Sequence, residues 1–132
     1  NAVMAYNLYR LSIFYDIPEW RARAGEMVRS LNEVMIKYPT SFGVWLSLFF
    51  EIIDGTKEII LLGKDQENYL QKILGIHISH KLVQAAEIPI PGYPLLNNKP
   101  ETSETRIYLC ENYVCRQPVN TIEQFVSLLQ RK

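Results

Sequence analysis

Cysteine is scarce in this sequence, with two residues in a chain of 132. Small secreted domains that depend on disulfides carry more, so the sequence favours a reducing compartment, and we expect a cytoplasmic protein. A chain of this length can bury a hydrophobic core without a disulfide or a metal to hold it together. We therefore predict no bound metal and no cofactor.

Excess charge of either sign is also absent, because 14 lysine and arginine residues balance 14 aspartate and glutamate residues. Without a basic run or a basic-aromatic stripe nothing concentrates a phosphate backbone, so we exclude nucleic acid as a partner. The longest apolar stretch, 42–50, is about half as long as a bilayer span. There is no Asn-x-Ser/Thr acceptor for glycans. We therefore expect no membrane partner either.

The first part of the chain is predicted to be helical and unusually apolar. Residues 1–15 place apolar side chains around nearly the whole helical wheel, and such a helix has to be buried on nearly every side. Asp16 starts a second helix as its N-cap, with Pro18 and Glu19 in the first turn. Pro39 ends this second helix, whose charges lie mostly on one face. That distribution is typical of a helix that is half exposed to water.

A third helix, 42–53, carries a single charge, Glu51. Three helices of this kind expose more apolar surface than one three-helix packing can cover. We therefore predict that segment 1–54 packs against surfaces outside itself. Those surfaces belong to the remainder of a parent chain or to a second copy, so we expect a homo-oligomer through the helices. The chain starts at Asn1 rather than at methionine, as an excised fragment would.

The pattern changes at Gly55, and we predict a small α/β unit over 55–132. Residues 58–63 form a short continuous apolar run, which is typical of a central parallel strand. Residues 65–74 have apolar side chains at helical spacing, and 82–86 form a second strand. Strand, helix and strand in this length predict a right-handed βαβ crossover.

A proline-rich loop, 87–105, separates this crossover from the remaining elements. So long a connection without secondary structure is unusual, and it either covers a sheet edge or reaches onto the helices. A third strand is predicted at 106–109, and a capping box at 120–123 opens a final amphipathic helix. The predicted fold class is therefore α+β or α/β, with three apolar helices followed by a small βαβ-containing unit, a third strand and a C-terminal helix.

Two stretches of the chain carry a family resemblance. Residues 1–5 (NAVMA) followed by 8–11 (LYRL) are similar to a helix motif G-N-S/A … N-L-x-R-L. Residues 108–119 (YLCENYVCRQPV) are similar to a closing motif Y-V-C-x-x-x-x-C-x-x-P-V before a last helix. With the strand 59–63 between them, the whole chain resembles the C-terminal region of the thioredoxin-domain-containing family typified by spermatogenesis-associated protein 20.

This resemblance implies a parent protein in three parts. Members have an N-terminal thioredoxin-like domain, a six-hairpin, glycosidase-like barrel similar to that of acylglucosamine and cellobiose epimerases, and a small C-terminal α/β segment. Residues 1–54 would then be the last helices of an α/α barrel, with Asn1 projecting into its interior. The activity of the family is not established; the resemblance makes a carbohydrate-active or redox enzyme the expectation for the parent. No residue of the fragment is predicted to be catalytic, and we expect no enzyme activity from the fragment by itself.

Cys110 and Cys115 are the only cysteine pair, and therefore the only residues suited to thiol redox chemistry. Their spacing is not the C-x-x-C spacing that lets a helix N-terminus lower a thiol pKa. Three alternatives stay open: two plain thiols packed as small apolar groups, a structural or regulatory disulfide, and metal ligands. A disulfide that closes so short a loop would stabilise the fold by about 2 kcal/mol in the chain-entropy model.

Other polar features have simpler interpretations. His77 and His80 could complete a zinc site with the cysteines, but they match no zinc-module spacing and are more typical of surface residues. Gly63-Lys64 follows a strand as a phosphate loop does, yet it lacks the glycine run, so we predict a plain turn. Six aromatic residues could stack on a sugar, although helical spacing indicates core packing: Tyr6, Tyr9, Phe14, Trp45, Phe49 and Phe50.

Two alternatives to the barrel fragment are kept from other functional classes. One is a small redox module that works through Cys110 and Cys115. The other is a non-catalytic interaction domain that uses the loop 87–105 as its contact surface. Neither alternative requires a cofactor.

Overall fold

A computed structural model describes residues 1–130 of the chain. It divides them into two compact units, of which the first is Asn1–Gly55 and the second begins at Thr56. The first unit is helical, and the second contains all the strands found within the described residues. The predicted mixed α+β class is therefore confirmed. Across residues 1–130, every helix is too short or too polar to span a membrane.

The first unit is built from four helices and a short 3₁₀ turn at Pro39–Ser41. The helices are α1 (Ala2–Tyr15), α2 (Pro18–Arg29), α3 (Asn32–Lys37) and α4 (Gly43–Asp54). Helix α1 packs against both α2 and α4. The buried apolar side chains of the unit are Ala5, Tyr9, Ile13, Ala24, Val28, Met35 and Leu48.

Two details of the predicted second helix are wrong. The helix is not continuous to Pro39, because it breaks at Ser30, whose hydroxyl donates to the carbonyl of Met27 at 2.8 Å. Such a local bond from serine to the backbone competes with helix propagation. Asp16 does not cap α2 either, because it lies in the left-handed region at φ 52° and closes α1. Ile17 precedes α2 and makes no side-chain capping bond.

The second unit is organised around a sheet of four strands in the order β2-β1-β3-β4. The strands are β1 (Lys57–Leu62), β2 (Lys81–Ala86), β3 (Arg106–Glu111) and β4 (Val114–Cys115). Strands β1 and β2 are parallel and joined through helix α5 (Gln66–Leu74), as the predicted crossover requires. Strand β3 is antiparallel to β1, and β4, which the sequence analysis did not predict, is antiparallel to β3.

One face of this sheet forms the hydrophobic core of the second unit. Its members come from β1, β3, α5 and the last helix, α7 (Ile122–Gln130): Ile59, Leu61, Ile73, Ile107, Leu109 and Phe125. The residues between them along β1 and β3 point to the opposite face, because side chains alternate along a strand. That opposite face is also buried, but it contains polar groups such as Glu58, Gln84 and Tyr108.

The prediction that 87–105 has no secondary structure is wrong in one part of the loop. It contains a one-turn helix, α6 (Pro94–Asn97), which contacts β1 and β2 and buries Leu95 and Leu96. A four-residue helix is not stable alone, so tertiary burial of the two leucines holds it. This part of the loop therefore packs on the sheet of its own unit.

In the second unit, α5 follows a tight turn at Gly63 and α7 begins at a capping box. Gly63 has φ 137°, and a Cβ there would lie 2.5 Å from the Cα of Thr105, so only glycine fits. The Gly63-Lys64 segment is thus a strand-to-helix turn, as predicted. The predicted capping box is shifted by one residue: Gln124 N donates to Thr121 Oγ1, and Asn120 N donates to Gln124 Oε1, both at 3.2 Å.

Candidate functional site

The candidate site lies at the hairpin that joins β3 to β4. Its turn residues, Asn112 and Tyr113, both have positive φ, 49° and 63°. Two successive left-handed residues in a two-residue loop make a type I′ turn, whose twist matches that of the strands. The turn sets the register, so Glu111 pairs with Val114 and Cys110 pairs with Cys115. The four intervening residues therefore bring the two sulfurs together although they do not form a C-x-x-C motif.

Cys110 and Cys115 are joined by a disulfide across this hairpin. The next pair, Leu109 and Arg116, is hydrogen-bonded through Arg116 N and Leu109 O at 2.9 Å. The cysteines therefore occupy a non-hydrogen-bonded position, where opposite side chains come closest. Among the three alternatives left open by the sequence, the structure has the disulfide rather than free thiols or metal ligands.

A lysine from the proline-rich loop lies against this disulfide. Lys99 Nζ is 3.1 Å from Cys115 Sγ and 5.0 Å from the centre of the Tyr108 ring. The side chain is half-buried. Loss of water around it lowers the pKa of Lys99, and the negative charge of Glu58 partly opposes that shift. The disulfide therefore has a cation beside one of its sulfurs.

A buried glutamate is paired with Cys110 across the sheet. Glu58 on β1 is directly opposite Cys110 on β3, and only 1% of its surface is exposed. Its Oε2 accepts a hydrogen bond from the backbone N–H of Tyr113 at 3.0 Å, so the turn of the hairpin partly satisfies the charge. Cys110 and Cys115 thus differ in their electrostatic surroundings.

The two sulfurs also differ in access. Cys110 is 1% exposed, whereas Cys115 on the edge strand is half-buried. An open cleft of about 390 Å³ is lined by both cysteines and by the turn residues around them. Cys115 is therefore the more accessible of the two cysteines in this cleft.

Lys99, Glu58 and Tyr108 were missed by the sequence analysis. Lys99 is the only basic residue in the loop 87–105, and Glu58 is a charge at the start of an apolar strand. Each charge is unusual in its segment, but the sequence does not indicate which residues Lys99 and Glu58 contact in the folded protein. The Tyr108 hydroxyl and the Gln84 side-chain amide, both buried, have no hydrogen-bond partner within the part of the chain that the structure describes.

The other residues singled out from sequence do not join this site. Asn1 is exposed and accepts at its backbone carbonyl from Ala5 N at 3.0 Å, without a side-chain capping bond. His77 is exposed and His80 is half-buried. Within residues 1–130 no three histidine, cysteine or acidic side chains are grouped as metal ligands. The predicted zinc alternative therefore has no geometry to support it.

A second polar cluster lies inside the helical unit. Arg10 on α1 donates to the carboxylate of Glu51 on α4 at 3.2 Å, and Glu51 is fully buried. The Arg10 guanidinium also lies 4.9 Å from the centre of the Tyr6 ring. Burial and the neighbouring Glu51 raise the pKa of Tyr6. This cluster ties α1 to α4 through the single charge of the third predicted helix.

Comparison with known proteins does not identify a family for this chain. No protein-family model, curated protein or solved structure matches the chain.

Proposed function

We propose that this chain is the C-terminal part of a larger protein resembling the thioredoxin-domain-containing, epimerase-like barrel family, and that it does not contain the active site of the barrel. In this proposal the helical unit completes an α/α barrel, and the second unit is the α/β segment that follows it. The partner of the helical unit is the remainder of the same parent chain. No residue within the described range is given a catalytic role in the barrel.

The exposed apolar stripe of α1 is the observation that carries this proposal. Met4, Leu8, Leu11 and Tyr15 recur at the spacing i, i+4, i+7 and i+11, which places them on one side of a helix. Met4 is 58% exposed, and Leu11 and Tyr15 are exposed as well. A stripe of this length is typical of a helix that packs against another helix. The opposite side of α1 already packs on α2 and α4.

Helix α4 adds further apolar surface to the same unit. Phe50 and Ile53, one turn apart, are 52% and 62% exposed. Beside them is a groove of about 410 Å³ between α2 and α4, lined by Val28, Phe49 and Ile52 among others. Isolated exposed apolar residues need no explanation, but contiguous apolar patches mark interaction surfaces. Two such helices in a four-helix unit support a role as part of a larger helical assembly.

The proposal is tested by the association state of the chain itself. Without the remaining barrel helices, the stripe on α1 should pair with a second copy, so we expect dimers or larger species by light scattering. Met4→Glu combined with Leu11→Glu places two charges on the stripe and should shift the chain to monomers, since an unpaired charge at an apolar interface is costly.

Val114→Glu is the matched control, because Val114 is 75% exposed but lies in the second unit. It should leave the association state unchanged. A monomeric wild-type chain at every concentration, without binding of a hydrophobic dye, would contradict the proposal. Equal dissociation by the control variant would also contradict it.

A further inference from the structure

We propose that Cys110 and Cys115 form a thiol–disulfide exchange site, with Cys115 as the attacking thiol, Cys110 as the resolving thiol and a disulfide-bonded molecule as substrate. This inference is independent of the barrel assignment, because it rests only on contacts within the second unit. It assigns different roles to two cysteines that the sequence leaves equivalent.

Access separates the two roles. Thiol–disulfide exchange needs the attacking sulfur to approach an external disulfide in line, and the resolving sulfur only needs to reach its neighbour. Cys115 is half-buried on the edge strand and lines the open cleft, whereas Cys110 is buried at 1% exposure on the inner strand. Their positions as a directly opposed pair keep Cys110 within reach of Cys115 after the disulfide is opened.

Charge separates them in the same direction. A thiolate is the nucleophile, and a nearby ammonium group stabilises it. Lys99 Nζ lies 3.1 Å from Cys115 Sγ, whereas Cys110 is paired on the neighbouring strand with Glu58, whose carboxylate accepts from Tyr113 N at 3.0 Å. In the reduced protein Cys115 is therefore the cysteine whose thiolate a neighbouring ammonium group stabilises.

The remaining charged groups nearby do not cancel this asymmetry. Lys57 and Glu111 form an ion pair with each other, and alternation along the strands places them on the opposite face of the sheet. Arg116 follows Cys115 in the chain and donates to the carbonyl of Leu128. Tyr108 meets Lys99 through the face of its ring. Lys99 thus acts as a positioning residue that favours the Cys115 thiolate.

The exchange is balanced in two steps. The Cys115 thiolate attacks a substrate disulfide, forming a mixed disulfide and releasing one substrate thiolate, which takes up a proton. The Cys110 thiol then loses its proton and attacks Cys115 Sγ, which re-forms the Cys110–Cys115 disulfide and releases the second substrate thiol. The protein dithiol is oxidised and the substrate disulfide is reduced. A low-molecular-weight dithiol such as dithiothreitol returns the protein to the reduced state and is itself oxidised to a disulfide.

The first experiment uses the reduced wild-type chain and no substitution. A substoichiometric amount of iodoacetamide is added at neutral pH, and the labelled peptide is identified by mass spectrometry. We expect Cys115 to be labelled about tenfold more than Cys110, since alkylation follows the thiolate character and the access of a cysteine. Equal labelling, or preferential labelling of Cys110, would overturn the assignment.

The second experiment follows exchange with 5,5′-dithiobis(2-nitrobenzoate). Reduced wild-type chain should release two equivalents of chromophore and end as an adduct-free disulfide, whereas Cys110→Ser should release one equivalent and retain a mixed disulfide at Cys115. Two adducts on the wild-type chain, or a reaction no faster than that of free glutathione, would sink the proposal.

A third experiment tests the role of Lys99. The oxidised fraction is measured in glutathione buffers for the wild-type chain, Lys99→Met and Lys99→Arg. Loss of the cation destabilises the thiolate, so Lys99→Met should shift the equilibrium toward the disulfide by about tenfold, and Lys99→Arg should restore it. A purely structural lysine would instead change thermal stability without moving this equilibrium, and that result would remove Lys99 from the site.

Discussion

The two units of this chain differ in which apolar and charged side chains they bury and which they expose. The helical unit leaves apolar side chains such as Met4 and Ile53 in water and buries a charge, Glu51, which is paired with Arg10. The second unit encloses residues such as Phe125 completely and keeps the buried side chains of Glu58 and Gln84 on the other face of the sheet. The difference shows that the second unit has a closed core of its own, whereas the apolar stripe of α1 remains uncovered.

The largest effect is expected from the core of the second unit. Phe125 on α7 is fully buried in the apolar cluster, so Phe125→Ala should lower the free energy of unfolding by about 3–5 kcal/mol. Hydrogen exchange of the β1 amides, measured as a function of urea concentration, gives this free energy. Tryptophan fluorescence does not report it, because Trp20 and Trp45 both lie in the other unit.

Phe50→Ala is the matched control for this comparison. Phe50 is half exposed on α4, so in dilute monomeric protein the same substitution should change stability by less than about 0.5 kcal/mol. Tryptophan fluorescence reports this unit. Similar losses for the two phenylalanines would abolish the proposed contrast between a closed and an open apolar surface.

Two glycines provide a second contrast. At Gly63 an alanine meets both a positive φ and the backbone of Thr105. We expect Gly63→Ala to cost about 3 kcal/mol, since backbone strain and overpacking each cost about 1–3 kcal/mol. At Gly25 in α2 the nearest atom is the Arg29 guanidinium at 3.6 Å. Gly25→Ala should therefore stabilise the helical unit by about 0.5–1 kcal/mol.

Both variants are measured by chemical denaturation with the probes named above. Gly25 lines the groove between α2 and α4, so a gain in stability would indicate that this groove is unfilled within the chain. Destabilisation by Gly25→Ala would mean instead that the groove is closely packed, which would weaken the contrast between the units.

Among the variants expected to lose stability, apart from the control Phe50→Ala, the smallest loss concerns the buried charge. Glu51→Gln leaves Arg10 without its anion. Because the Arg10 side chain is 30% exposed and water can compensate, we expect a loss of about 2 kcal/mol, below the 3–5 kcal/mol of a fully buried pair. Arg10→Met combined with Glu51→Leu should recover most of that loss, measured by tryptophan fluorescence in urea. A double variant less stable than Glu51→Gln would show that the cluster is worth more than its desolvation cost.

The elements that the sequence predicted correctly are those with strong local periodicity. The apolar run of β1, the helical spacing of α5 and the turn at Gly63 follow from neighbouring residues and need no distant contact. Errors occurred where distant contacts compete with a local signal. Asp16 is a residue type favoured at an N-cap, but it closes α1 instead. Helix α6 forms because Leu95 and Leu96 are buried on the sheet.

The candidate site was only partly predictable. Cys110 and Cys115 stand out as the only cysteines, but Asn112-Tyr113 was not recognised as the turn of the hairpin that pairs them. Lys99 is 16 positions from Cys115 in the sequence, and Glu58 is on a strand that precedes both. No periodic pattern connects residues at such separations.

The sequence by itself determined the class of this protein: an apolar helical part, then a small mixed α/β part, because hydrophobic periodicity is a local property of the chain. Only the tertiary structure decided that the sulfur of Cys115 lies beside a lysine and that Cys110 is paired with a buried glutamate. That asymmetry depends on strand register and on the course of a loop, and both are set by which surfaces exclude water together rather than by any residue's neighbours in sequence.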